Sequence, residues 1–303
     1  MKNQIASNKY FSQVKVGYNV RMVDDSRSDA NASYWNELCG TNIAKILGLD
    51  DQSPNSIEKF DTWFFNFYPY LIPFINDSLK SSSNVLEVGL GYGSVASHLA
   101  KSGYSYTGLD IAEGPVAMCE QRLNEIQCGG IAVKGDALNA PFEENTFDAV
   151  VAIGSLHHTG DFDQAIREMV RVTVSDGTIC GMVYSVFSAR NFIRRPFWTI
   201  RLAIRNVKYP VRVLADEKLR WFSDHNQKGE AAPSTEYFSR SALRLVLKNY
   251  GDVQIKAQNL DSLPIPFGIG NRARKLLIKT RLDTWFGLDL YFVLHQKKDS
   301  AVN

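Results

Sequence analysis

Little in this 303-residue chain would tie it to a metal, a disulfide framework or a bilayer interior. Its four cysteines, Cys39, Cys119, Cys128 and Cys180, are scattered, with no Cys-x-x-Cys and no Cys/His ligand spacing. Neither a zinc knuckle nor a stapled extracellular scaffold is expected, no metal site is assigned, and a reducing cytoplasm is the natural home. Residues 1–18 lack the apolar stretch of a secretion signal. The best apolar run, 63–75, is shorter than the roughly 18–20 residues of a membrane span and is broken by Asn66, Pro69 and Pro73. An excess of one charge is also missing. Lys+Arg 34 against Asp+Glu 32 leaves a formal charge of +2, so no whole-molecule field draws nucleic acid, and none is expected as a partner. No serine stands in a Gly-x-Ser-x-Gly context, which removes support for nucleophilic hydrolysis.

What is present begins with aromatics. Up to about residue 83 the chain is first polar and then rich in rings: Phe60, Trp63, Phe64, Phe67, Tyr68, Tyr70 and Phe74. Phe60, Trp63/Phe64, Phe67 and Leu71 recur at helical spacing, which predicts an amphipathic helix packed on a core. The same aromatic edge, Tyr68 included, suits a lid over a ligand site, and the two readings are compatible.

From residue 84 short β-rich runs alternate with helical segments, the mark of a parallel sheet wound with helices. Strands are expected at 85–88, 104–109, 131–133, 147–153 and 177–184, with helices at 91–99, 115–126 and 163–172 between them. The sheet resumes at 252–260 and ends at 288–295. The fold class is therefore α/β: a Rossmann-like, seven-stranded, mostly parallel sheet with helices on both faces. It carries an N-terminal helical cap (1–83), a cofactor-binding core (84–186), a basic and aromatic insertion on the substrate side (187–250), and the last two strands with a further insertion between them (251–303).

The chemistry concentrates at Glu87-x-Gly89-x-Gly91-x-Gly93. Glycines after a first strand allow a tight turn and close approach of backbone to a nucleotide-like ligand. A dinucleotide fingerprint would need a small third residue at position 94, where Ser94 stands, and Glu87 would repel a pyrophosphate. S-adenosylmethionine has no phosphate and carries an ammonium and a sulfonium, so a carboxylate there is favourable. Asp110, 21 residues after Gly89 at the end of the second strand, stands where an acidic side chain accepts from ribose hydroxyls. Asp136, after the third strand, is placed to accept from an adenine amino group. Singly each reads as a loop acid; at three successive strand ends they read as one site.

The ordered set Val85-Leu86-Glu87-Val88-Gly89-Leu90-Gly91-Tyr92-Gly93, Tyr106-Thr107-Gly108-Leu109-Asp110, Gly135-Asp136-Ala137, Pro141-Phe142, Phe147-Asp148, Ser155-Leu156-His157-His158 and Arg171-Val172 resembles the class I S-adenosylmethionine-dependent methyltransferases, in particular their ubiquinone-biosynthesis-like branch of small-molecule enzymes. Cys39-Gly40-Thr41 and the segment 233–238 look like flanking features of related members. One departure is Val174-Ser175-Asp176-Gly177, where the family has Lys-Pro-Gly-Gly; it alters a turn. The resemblance implies that Gly89, Gly91 and Gly93 line the methionine part of the cofactor with Glu87 beneath. It further implies that Asp110 and Ile111 hold the ribose and face the adenine, that Asp136 and Ala137 bind the adenine edge, and that Gly154 and Ser155 lie near the sulfonium.

The expected activity is methyl transfer from S-adenosylmethionine to a small-molecule acceptor, with oxygen the favoured nucleophile, by in-line displacement helped by alignment and exclusion of water. A hydroxyl acceptor needs a base, for which His157 and His158 are the candidates; paired histidines in this loop also serve simply to shape it. Two alternatives stay open: an NAD-linked oxidoreductase, which Ser94 opposes, and a non-catalytic cofactor-binding module of the same fold. In the basic insertion, Arg194, Arg201, Arg205, Lys208 and Arg212 fall at helical spacing beside Phe197 and Trp198. A solvated helix face, interrupted by Pro196 and Pro210, is the favoured reading; an anionic-substrate grip or a weak peripheral membrane contact is the other.

Overall fold

The computed structural model describes residues 25–37, 47–49, 54–81, 83–127, 129–261, 269–281 and 283–297. Cys39-Gly40-Thr41 and most of the Pro/Gly segment around Pro264 lie outside them. Among the described residues, α1 (Asp25–Trp35), α2 (Pro54–Phe67) and α3 (Leu71–Ser78) precede the sheet. The aromatic segment expected as one helix is two. Pro69 has no N–H to donate and disfavours helix at Tyr68, so the chain turns there before Leu71 starts α3.

The core then alternates: β1 (Asn84–Val88), α4 (Ser94–Lys101), β2 (Ser105–Asp110), α5 (Glu113–Ile126), β3 (Ile131–Lys134), β4 (Phe147–Ile153), α6 (Phe162–Val172) and β5 (Thr173–Ser185). After it come α7 (Ala189–Arg194), α8 (Pro196–Asn206), β6 (Arg212–Leu214), α9 (Glu217–Ser223), β7 (Glu236–Phe238), α10 (Arg240–Leu247), β8 (Gly251–Gln258), α11 (Ile269–Lys279), α12 (Asp283–Phe286) and β9 (Asp289–Gln296). The main sheet runs β3-β2-β1-β4-β5-β9-β8, parallel except for β9, which is antiparallel to both neighbours. This is the expected seven-stranded sheet. It has one addition that the strand pattern did not predict: β5 outruns β4, and its last residues, Tyr184 and Ser185, pair with β7 of the small β6–β7 ladder.

Side chains alternate across a strand, so β1, β4 and β5 feed two cores. Leu86, Val150, Ile179 and Val183 point to one face, against Ile166 and Met169 of α6 and Leu243 of α10. Val85, Val151 and Cys180 point to the other, against Leu71 and Ile75 of α3, Leu99 of α4 and Leu123 of α5. Asp161 caps α6 by accepting from the Gln164 amide at 3.0 Å. With both faces covered, the carboxyl ends of the parallel strands are left as the open edge where such sheets bind ligands.

Candidate active site

At that edge lies a cavity of about 410 Å³. β1 delivers Glu87 and then the glycine turn, where Gly89, Gly91 and Gly93 all adopt positive φ, at 86°, 51° and 69°. At Gly89 a Cβ would come within 2.3 Å of the Ser155 Cβ, so only glycine lets the loops after β1 and β4 touch. Ser155 closes the contact by donating its hydroxyl to the Val88 carbonyl at 2.5 Å. Glu87 is buried, its Oε2 accepting from the Tyr106 hydroxyl at 2.7 Å. Burial pushes its carboxyl up to about 8, against the pull of the Tyr106 hydrogen bond.

Asp110 braces the same turn. Its Oδ2 accepts from the Leu90 amide at 2.7 Å and its Oδ1 from Ala112 at 2.9 Å. Burial raises this carboxyl above its ordinary range, and those backbone hydrogen bonds oppose the rise. The amides of Gly91 and Ile111 also point at this carboxylate, so the turn is wrapped around it. Asp136 accepts from the Leu138 amide at 2.8 Å and from the Ser28 hydroxyl of α1 at 2.7 Å. The cap is stitched to the strand ends elsewhere as well. Arg27 donates to the Gly160 carbonyl, Asn31 to that of His158, and Phe60 stacks on Tyr92 at 3.9 Å.

Of the residues singled out from sequence, Tyr68, Glu87, Gly89, Gly91, Asp110, Ile111, Asp136, Ala137, Gly154, Ser155 and His158 all line this cavity. Two do not. Gly93 caps α4, and a Cβ on it would meet the Arg122 Cδ at 3.0 Å; its glycine makes room for Arg122 and not for a ligand. His157 is fully buried between His158 and Tyr184, with ring centroids 4.1 and 4.3 Å away, and neither ring nitrogen has a hydrogen-bond partner among the described residues. Burial holds it well below the usual histidine range, so it is a neutral packing ring with no path to the cavity.

The far end of the cavity is polar. The Nδ1 of His158 lies 3.0 Å from the Ser234 carbonyl; a carbonyl only accepts, so Nδ1 carries the hydrogen and Nε2 a lone pair. Nε2 stands 3.8 Å from Oδ2 of Asp224, which is buried and has no hydrogen-bond partner among the described residues. The other oxygen, Oδ1, accepts from the Tyr184 hydroxyl at 3.0 Å. Burial lowers the pKa of His158, while the Asp224 carboxylate and the Ser234 carbonyl push it back up. Asp224, Tyr184, Ser223 and Tyr237 at this end were not picked out from sequence. Asp224 stands in the 187–250 insertion with no motif around it, and the β5–β7 pairing brings that segment back beside His158.

The donor set suits a cationic nucleotide-like cofactor. Glu87, Asp110, Asp136, Asp224 and Asp289 line the cavity, whereas the guanidinium of Arg190 is committed to Asp261 at 2.6 Å. Residues 86–181 match the family model described as a methyltransferase domain. A phthiotriol/phenolphthiotriol dimycocerosates methyltransferase of Mycobacterium ulcerans is 39% identical over 94 residues, covering 30% of this chain and 34% of that protein. Norajmaline N-methyltransferase of Rauvolfia serpentina is 34% identical over 116 residues, 36% of this chain and 39% of that one. The chain thus spans well under half the length of these two relatives. Among solved structures, a putative methyltransferase of Haloferax volcanii, in complex with the Trm112 methyltransferase activator, aligns with a TM-score of 0.53 at 14% identity, covering 81% of this chain and 96% of that one; at that identity the likeness is one of fold. The likeness is to methyltransferases, and in sequence it is carried by the segment 86–181.

Proposed function

We propose that the whole chain is a methyltransferase that transfers the methyl group of S-adenosylmethionine to an oxygen of a small-molecule acceptor. One observation carries the oxygen reading: Nε2 of His158 and Oδ2 of Asp224 are two acceptors 3.8 Å apart, the carboxylate oxygen without a donor among the described residues. An acceptor hydroxyl supplies the missing hydrogen. When bound, the cofactor supplies an electrophilic methyl group on a sulfonium. Glu87 would face its ammonium, Asp110 and Ile111 its ribose, and Asp136 with Ala137 its adenine; Gly89, Gly91, Gly154 and Ser155 give the close-fitting wall, and Tyr68 the lid.

His158 then does the proton work. Neutral at pH 7 because it is buried, it takes the acceptor's proton on Nε2, and the imidazolium so formed is held by Asp224 on that side and by the Ser234 carbonyl on the other. Trp35, whose ring lies 4.8 Å from His158, and the rings of Phe60, Phe64 and Phe67 keep water out while the reacting groups align.

Calorimetric titration with S-adenosylmethionine and with NAD tests the cofactor half. Binding of the first and not the second is expected, and the reverse result overturns the reading. Incubation with methyl-labelled cofactor and a cell extract tests the acceptor half. Label in an ether or ester supports oxygen, label in an amine replaces it with nitrogen, and cofactor binding with no labelled product leaves a non-catalytic module of this fold.

A further inference from the structure

The helical segment after β5 turns an apolar row and a cationic row to solvent together. Phe197, Ile200 and Ile204 of α8, with Val207 at its C-terminal end, are exposed by 88, 49, 70 and 90%, and their spacing of three, four and three sets them along one line; Ile193 of α7, before the break at Arg195, is exposed by 73%. Arg194, Arg201, Arg205 and Lys208 each follow one of them directly, about 100° further round. The segment's seating on the protein is fixed. Thr199 is buried and donates to the Asn191 carbonyl at 2.8 Å, while Trp198 and Leu202 pack against Val211, Leu219 and Tyr237. The exposed apolar row is therefore the side left over once the core-facing side is satisfied. Scattered exposed apolar residues are ordinary; a row of four beside a row of cations is not.

Charge says what covers it. No Asp or Glu occurs between Ser185 and Ala215, although the whole chain is nearly neutral. Arg190, Arg195 and Arg212 of this stretch are paired with Asp261, Asp216, and Asp163 with Glu236. Arg201, Arg205 and Lys208 have no ion-pair partner among the described residues. A second copy laid on the same face would set two such rows against each other with no acid between them, which is repulsive. A sheet of anionic headgroups over an acyl interior complements both rows at once.

We propose that this face docks on an anionic lipid bilayer, with Phe197, Ile200, Ile204 and Val207 entering the headgroup–acyl boundary and Arg201, Arg205 and Lys208 binding headgroup anions. The buried side of the same helix reaches the cavity wall, since Asn191, which receives the Thr199 hydrogen bond, is one of the lining residues. The proposal rests on this surface alone and is independent of which atom is methylated.

Sedimentation of the full chain with vesicles tests it. Binding is expected to mixed phosphatidylcholine/phosphatidylglycerol vesicles, not to phosphatidylcholine alone, and to fall as salt rises. Two variants separate the rows: Arg201→Glu with Arg205→Glu and Lys208→Glu, and Phe197→Ser with Ile204→Ser. Each is expected to weaken partition at least about tenfold, with the unfolding midpoint and S-adenosylmethionine affinity unchanged. Failure of the wild-type chain to sediment with the mixed vesicles overturns the proposal, as does undiminished binding by both variants. So does a wild-type dimer in ultracentrifugation that Phe197→Ser with Ile204→Ser abolishes while the vesicles pellet alone. Cofactor titration on the same samples reports the methyl-transfer reading separately.

Discussion

Arg122 holds both oxygens of Asp61, with Nη1 at 3.1 Å and Nη2 at 2.5 Å, and so fastens the cap helix α2 to the core helix α5. The same guanidinium donates to the Tyr92 carbonyl at 2.8 Å and to the Ser97 hydroxyl at 2.7 Å, and Ser94 donates to Asp61. One ion pair thus ties the cap to the glycine turn. Asp61→Ala strands a guanidinium that is only 4% exposed. We expect a loss of about 3 kcal/mol, the low end for breaking a buried pair, because Asp61 itself is partly open to solvent. Urea unfolding reads the loss, and cofactor affinity should fall with it although Asp61 lies outside the cavity wall. An unchanged midpoint would show that the cap is held by its apolar contacts alone.

Asp110 has two duties that one substitution separates poorly, so two measurements are needed. Asp110→Ala removes the acceptor for the Leu90 and Ala112 amides, which costs stability, and removes the proposed ribose contact. Cofactor affinity is expected to drop by about 1.5–3 kcal/mol, roughly 10- to 150-fold, as for lost hydrogen bonds to a charged group. Calorimetry at a temperature well below the variant's own midpoint isolates this from unfolding. Equal affinity in the two proteins would remove Asp110 from the cofactor site and leave it a brace of the turn.

The carboxyl of Glu87 predicts a pH dependence. Raised from 4.5 to about 8 by burial, it is mostly protonated at pH 7 in the free protein. Seating an ammonium against it favours the charged form and expels the proton. Affinity for S-adenosylmethionine should therefore strengthen as pH rises towards about 8 and level off above, with a limit of about tenfold per pH unit for one proton. For the free protein the sign is opposite. The folded state binds the extra proton between the unfolded and folded values, so this group's contribution to stability declines as pH climbs through that window. Glu87→Gln should flatten the affinity profile; a profile that keeps its slope in this variant assigns the proton to another group.

The strands that carry this site were legible because each is a short apolar run closed by a chemically marked residue: Glu87 and Gly89, Asp110, Asp136, and Gly154 with Ser155. Local pattern was clearest at β4, whose Ala149 to Ala152 are buried on both faces and apolar throughout. Pattern failed where tertiary contact decides. Three-residue strands such as Arg212–Leu214 and Glu236–Phe238 carry no period to detect, and they form because β5 outruns β4 and offers an unpaired edge. Asp224 was unreadable for the same reason, being carried to His158 by that added ladder. Gly93 and His157 stand next in sequence to cavity-lining residues, yet one faces Arg122 and the other packs behind His158. The exposed row on α8 was hidden too, because its apolar residues match a core-facing helix in sequence and differ only in which side meets the protein.

The two histidines give the sharpest test of the catalytic assignment. With Nε2 facing Asp224 and the cavity, His158→Asn should lower kcat by about 10²–10⁴-fold, the usual worth of a positioned base, and leave cofactor affinity intact. His157→Phe should keep kcat within a few-fold, since that ring only packs. The pH profile distinguishes a base from a shaping residue. Burial puts the His158 pKa below 6.5, so kcat/KM for a hydroxyl acceptor should be flat at neutral pH and fall only when pH drops below that lowered value. Asp224 opposes the shift by favouring the imidazolium. In Asp224→Asn the acid limb should consequently move to still lower pH while the plateau drops, because the imidazolium formed during transfer loses its counter-charge. A plateau that neither His158→Asn nor Asp224→Asn lowers would mean the acceptor arrives already deprotonated and the pair only positions it.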